Sequence, residues 1–183
     1  DLDFMLFRLL PDGELDKDFN YDGTVTTAVG SFDDEVLAMA LQGDGKIIAV
    51  GYCDSGVNHD FAMVRYNVDG SVDTSFGVDG KVITAVGNRD DEITDVAVQP
   101  DGRILIVGAS KGTTGRVIAA ARYLPNGKLD TTFAGSNDFA LHVVGLDAQP
   151  ESIALQGEDI IIGGTFIDSK KNGLMLLGLD ADG

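Results

Sequence analysis

The sequence predicts an all-β fold, a β-propeller-type array of four-stranded antiparallel blades, and three observations predict it. The first is a repeat of about 57 residues, on which Arg8, Arg65 and Arg122 recur in step with Phe19, Phe76 and Phe133. A period in this range marks stacked supersecondary units, none of which can bury its own apolar face alone. The second is punctuation by turns such as Pro11-Asp12-Gly13, Val68-Asp69-Gly70 and Pro125-Asn126-Gly127 between short β-type runs. The third is the pattern inside those runs. Ile47-Ile48-Ala49-Val50-Gly51, Ile104-Leu105-Ile106-Val107-Gly108 and Ile160-Ile161-Ile162-Gly163-Gly164 are apolar on both faces, so both faces must be covered, as neighbouring blades cover them in a propeller.

Each element follows in order. The chain opens on a strand from Asp3 through Arg8, turns at Pro11-Asp12-Gly13, and continues into a short strand over residues 24–29. After Asp33-Asp34-Glu35 comes a run from Val36 to Leu41, a turn at Gly43-Asp44-Gly45, and the apolar run that begins at Ile47. The second copy repeats this most clearly. Residues 93–99 and 103–109 flank Pro100-Asp101-Gly102, whose fixed proline φ and permissive glycine suit a hairpin turn. Residues 117–123 give the third strand of a blade, residues 81–86 a shorter fourth strand between Gly80 and Gly87, and residues 174–180 the last third strand. Four such strands make a blade.

The chain therefore divides into units of residues 3–59, 60–116 and 117–173 with a partial unit at 174–183, one continuous array over residues 1–183. In the third unit Gln156-Gly157-Glu158-Asp159-Ile160 is one residue shorter than its counterpart, a deletion that falls in a turn and leaves strand register intact. Both ends cut through blades, so the array reads as a segment of a larger propeller, completed by other blades of the same protein or by other chains. Small residues such as Ala38, Ala40, Ala97, Gly51 and Gly108 permit close approach of neighbours.

Composition narrows the function classes. Thirteen Lys and Arg against thirty Asp and Glu leave a formal charge of −17, a surface that repels phosphate backbones and anionic lipid. No apolar run reaches the roughly 18 residues of a membrane helix. Nucleic acid and membrane insertion are therefore not expected as partners. Asp1-Leu2-Asp3 has neither the basic start nor the apolar stretch of a leader. Cys53, the single cysteine, has no partner for a disulfide or a Cys-x-x-Cys metal site and reads as a small buried hydrophobe.

The phrases Val98-Gln99-Pro100-Asp101-Gly102-Arg103-Ile104-Leu105-Ile106-Val107-Gly108 and Phe61-Ala62-Met63-Val64-Arg65-Tyr66-Asn67-Val68-Asp69-Gly70-Ser71-Val72-Asp73-Thr74-Ser75-Phe76-Gly77, with the acidic triads, resemble the delta-60 repeat family of bacterial proteins. The likeness is closest in the second unit and most worn in the third, where Val144-Gly145-Leu146-Asp147-Ala148-Gln149-Pro150-Glu151 departs from it. The resemblance implies propeller-like arrays in large, secreted or surface-attached bacterial proteins, often joined to other modules, and no known catalytic residues. The leading functional expectation is a non-catalytic structural or protein- and glycan-binding module outside the cell.

The residues themselves name no catalytic or cofactor site. His59 and His142 fall at non-equivalent points of the repeat, and no Gly-x-Ser-x-Gly elbow is present. The residues that break the repeat, Asn137, His142, Glu158 and Asp159, read as turn drift. The alternative, a propeller enzyme of the lactonase-like hydrolase or lyase kind, requires a metal held by acids at the mouth of a channel. Two recurrent polar sets remain. Arg8 with Asp16, Arg65 with Asp73 and Arg122 with Asp130 recur once per unit, the rhythm of a scaffold, and are expected as partly buried ion pairs fixing the intervening turn. Asp33, Asp34 and Glu35, with Asp90, Asp91 and Glu92, offer hard oxygens in a row. Such a run is ordinarily a solvated loop, with calcium as the alternative ligand, and the expectation is that no metal is held there.

Overall fold

The computed structural model describes residues 2–113, 115–134, 140–142, 147–168, 171–181 and 183. These form β-strands and turns, arranged in antiparallel sheets. The first sheet pairs β1 (Phe4–Phe7) with β2 (Thr24–Thr27). The second is four-stranded, with β3 (Asp34–Leu41), β4 (Ile47–Asp54), β5 (His59–Tyr66) and β6 (Lys81–Thr84) adjacent in chain order. The third repeats it with β7 (Asp91–Val98), β8 (Ile104–Lys111), β9 (Arg116–Tyr123) and β10 (Ala140–His142). The fourth comprises β11 (Asp147–Gln156), β12 (Asp159–Ile167) and β13 (Asn172–Leu179).

Sequence unit and sheet are out of phase. Each unit of the repeat begins on the third strand of one sheet and ends on the second strand of the next, so the covalent repeat itself links neighbouring sheets. The expected short fourth strands are present as β2 and β6, each ending two residues earlier than the sequence suggests. The shortened turn of the third unit is a two-residue link, Gly157-Glu158, with Gln156 paired to Asp159.

Three apolar layers separate the sheets. One holds Phe4, Leu6, Ala49, Val64 and Tyr66 between the first and second sheets. Another holds Ile48, Val50, Phe61, Val96 and Tyr123 between the second and third. The last holds Leu105, Val107, Ile118, Ile153 and Ile162 between the third and fourth. Residues of one strand alternate between two layers, Ile48 and Val50 facing forward and Ala49 backward, which is why β4 and β8 carry continuous apolar runs.

The strand nearest the preceding sheet is bulged in every copy, between Val36 and Ala38, between Ile93 and Asp95, and between Pro150 and Ser152. A glycine faces each bulge. A Cβ on Gly51, Gly108 or Gly164 would run into the backbone carbonyl oxygen of Glu35, Glu92 or Gln149 respectively. The recurrent glycine is thus demanded by the bulge opposite, not by a positive φ.

Candidate functional site

The recurrent arginine lies at the end of the third strand and reaches in three directions. Arg65 Nε donates to Asp73 Oδ2 at 2.8 Å, Arg122 Nε to Asp130 Oδ2 at 2.8 Å, and Arg8 Nε to Asp16 Oδ2 at 2.7 Å. In each case a second arm crosses to the next sheet. Arg8 Nη1 donates to the Val68 carbonyl, Arg65 Nη1 to that of Pro125 and Arg122 Nη1 to that of Ala181, all at 2.6 Å. The guanidinium also sits over the recurrent phenylalanine, 4.9 Å from the Phe19 centroid, 4.6 Å from Phe76 and 5.0 Å from Phe133.

The same phenylalanine receives the glycine of the following turn. Gly70, Gly127 and Gly183 have φ near +85 to +93°, and a Cβ on each would come within 2.9 Å of the Phe19, Phe76 and Phe133 rings. Backbone hydrogen bonds from Asn20 to the Asp69 carbonyl and from Gly77 to the Asn126 carbonyl close the contact. Arginine, aspartate, phenylalanine and turn glycine form one latch per junction. The sequence pairing of arginine with aspartate covers half of this device. Its other half joins residues about 60 apart, and nothing in a repeat spacing says which copies touch.

Burial opposes ionisation of Asp73, but Lys46 Nζ at 2.7 Å, the hydroxyl and N–H of Ser75, and Arg65 outweigh it and hold the carboxyl far below the usual carboxylate range. Asp130 is likewise lowered: burial works against its charge, while the Thr132 hydroxyl and N–H and Arg122 favour it. The first pair is as short as the others but the most exposed of the three, with the Arg8 side chain 34% accessible against 9% for Arg65 and 4% for Arg122.

Asp33 and Asp90 stand just before β3 and β7 and the other acids of the triads open those strands; most of their carboxylates accept from backbone N–H groups or side-chain donors, while Asp91 Oδ1 is buried with no hydrogen-bond partner among the described residues. Asp33 and Asp147 accept from the N–H of Leu2 and Arg116, each 31 residues earlier. Asp90 lies at 3.4 Å from the His59 N–H and 3.2 Å from Lys111 Nζ. Asp34 and Asp91 are buried, and they cap the turn before their own strand by accepting from Val29 and Gly30, and from Val86 and Gly87. Glu35 accepts from the Tyr52 hydroxyl, and Glu92 meets His59 Nδ1 at 3.0 Å. Among the described residues no three His, Cys, Asp or Glu side chains converge as metal ligands.

His59 opens β5 and stacks on Tyr52 with ring centroids 4.1 Å apart, and His142 ends β10. Glu158 lies in the β11–β12 turn and Asp159 opens β12, whereas Asn137 falls outside the described residues. Cys53 is free and buried, its thiol pushed up to about 11 chiefly by burial and then by Asp34 and Asp60. One residue escaped the sequence reading. Asp95, at the β7 bulge, accepts from the Ile153 N–H at 2.8 Å and so ties the first strands of two sheets together. Its signal is a carboxylate where the other copies have Ala38 and Ser152.

A cleft of about 630 Å³ opens along the triad side of the third and fourth sheets. Its charged lining, Arg89, Lys111 and Arg116 against Asp90, Glu92 and Asp147, is balanced, unlike the chain as a whole. Lys111 is held by Asp90, and Arg116 meets Asp147 through two nitrogens at 3.0 and 3.2 Å. Such a lining suits a polar ligand of low net charge, since Lys111, Arg116, Asp90, Glu92 and Asp147 already have internal partners that an ion would have to displace.

Comparison with known families gives a match to the model of a domain of unknown function (DUF5122) beta-propeller over residues 42–76 and 99–133. Each matched stretch runs from the turn before a second strand to a latch phenylalanine. The chain carries β-propeller-like repeats. No curated protein matches it.

Proposed function

We propose that the chain is a non-catalytic β-propeller array, a structural and interaction module of a larger extracellular or surface bacterial protein of the delta-60 kind. The carrying observation is the latch. The charged residues that recur in this sequence are used once per junction to hold one sheet to the next, as a scaffold requires and a single catalytic centre does not. The extracellular setting rests on the family resemblance. Protein or glycan is the ligand class, and the charge-balanced cleft beside Lys111 and Arg116 is the place for it.

The test is a binding screen of the immobilised chain against neutral and acidic glycans, run beside a panel of lactones. Retention of a neutral glycan that is lost on Lys111→Glu supports the reading. Lactone turnover that a chelator abolishes overturns it in favour of a metal-dependent propeller enzyme.

A further inference from the structure

Two lysines that break the repeat line one cleft. It measures about 600 Å³ and lies at the β6 edge of the second sheet, beside the latch to the third, whose glycines Gly77 and Gly127 are part of its lining. Val29, Val78 and Val82 line it as well, and Val78 is 77% accessible. Lys81 and Lys128 face Asp79 as the single carboxylate, so the lining is net positive on a chain of charge −17. Lys81 Nζ donates to the Ala28 carbonyl at 2.7 Å, which fixes the ammonium without neutralising it. Neither lysine has a carboxylate partner among the described residues.

The first junction has the same latch and lacks these features. Thr24 stands there in the place of Lys81, Ser71 in that of Lys128 and Asn20 in that of Gly77. Asn20 Nδ2 donates to the Thr24 carbonyl, and Thr24 donates its N–H and hydroxyl to Asp22. At the second junction a Cβ on Gly77 would run into the Lys81 carbonyl oxygen, which accepts from the Val78 N–H instead. Holding the sheets together therefore does not require the lysine pair.

The edge beside the cleft is half open. Lys81 exchanges both of its outward backbone hydrogen bonds with Val78, which closes the start of β6. Outward-facing groups alternate along an antiparallel edge, so Ile83, two residues on and 49% accessible, turns its N–H and carbonyl outward at the cleft. A neutral apolar ligand would leave these groups and both ammonium charges unused.

We propose that this cleft docks an extended acidic peptide of a partner protein. The peptide adds as a short strand outside β6 and exchanges backbone hydrogen bonds with Ile83, an apolar side chain rests on Val29, Val78 and Val82, and carboxylates meet Lys81 and Lys128. Charge selects the occupant, because an acidic peptide is repelled by the rest of this surface and finds two unpaired cations here. The open edge selects a peptide over a small anion. The site shares no lining residue with the charge-balanced cleft, and its occupancy is independent of what that cleft takes.

The test is fluorescence anisotropy of a labelled, end-blocked peptide Glu-Glu-Val-Val-Glu-Glu with the full chain at low salt. In a strand this peptide shows the order Glu, Val, Glu on either face. Saturable binding is expected, weakening as sodium chloride rises. Lys128 is exposed and its side chain has no partner among the described residues, so Lys128→Glu leaves the fold intact. That substitution and Lys81→Glu are each expected to weaken binding more than about tenfold. Lys17→Glu, the same charge change at an exposed lysine outside the cleft, is expected to change it far less. The peptide N-methylated at both valines is expected not to bind, since it loses the donors that strand addition uses. Absence of saturable binding, a loss on Lys128→Glu no greater than on Lys17→Glu, or equal binding of the N-methylated peptide overturns the proposal. A cleft that binds decanoate as tightly as the peptide is a site for small amphipathic anions, and that result overturns it as well.

Discussion

At the scale of the residue, one arginine per junction satisfies three demands at once: an aspartate of its own sheet, a carbonyl of the next, and an aromatic face. Removing the guanidinium from a buried latch leaves Asp73 short of a partner and the Pro125 carbonyl without a donor. Arg65→Ala is expected to cost about 1 to 4 kcal/mol in chemical denaturation. Arg8→Ala, at the more exposed latch, is expected to cost less than Arg65→Ala in the same experiment. The order of the two separates a latch from a surface pair. The sequence made the arginine and aspartate legible because both recur within one unit at a fixed short separation. It hid the second arm, and hid Asp34 and Asp91 as turn caps, because a carboxylate destined for buried N–H groups looks the same in sequence as one destined for solvent or for a cation. Asp91→Ala should cost about 1 to 3 kcal/mol by stranding the Val86 and Gly87 N–H groups. Asp91→Asn, which keeps a carbonyl oxygen, should recover much of that in thermal melts.

At the scale of the element, strand order, turn placement and the two-faced apolar runs were readable from periodicity alone. The bulges were not. A bulge adds a residue to one strand without changing the repeat length, so every copy carries it and no copy betrays it. Gly51, Gly108 and Gly164 are its only trace, and they read equally well as aids to close packing between sheets. The structure shows the narrower cause, a carbonyl oxygen standing where a side chain would begin. Gly108→Ala is accordingly expected to destabilise by about 1 to 3 kcal/mol, since the clash is with backbone that cannot swing aside. Gly43→Ala, where a Cβ meets nothing within 4 Å, should move the denaturation midpoint little by comparison.

At the scale of the whole molecule, the charge of −17 and the latches pull stability in opposite directions as pH changes. Near neutrality the surplus carboxylates repel one another, a cost that added salt relieves by screening and added acid by reducing the net charge. Asp73 and Asp130 behave the other way. Their folded values are depressed, so the stability they contribute is fully present above the unfolded value of about 3.9 and is lost as pH falls from there through the folded values. On the alkaline side the buried Tyr123 hydroxyl, pushed up to about 12 by burial, contributes stability that is present below about 10 and lost as pH rises through 12. The melting temperature is thus expected to rise as pH is lowered from 7 toward about 5, to fall steeply below about 4, and to increase with sodium chloride at pH 7. Calcium should act there only as magnesium does, by screening, because each triad carboxylate already accepts from an internal donor through at least one oxygen and, among the described residues, no three acidic side chains converge as ligands. Differential scanning calorimetry across pH and in matched calcium and magnesium checks both halves. A melting temperature that climbs at micromolar calcium and ignores magnesium would show that Asp33, Asp34, Glu35 or Asp90, Asp91, Glu92 can release those donors for a metal.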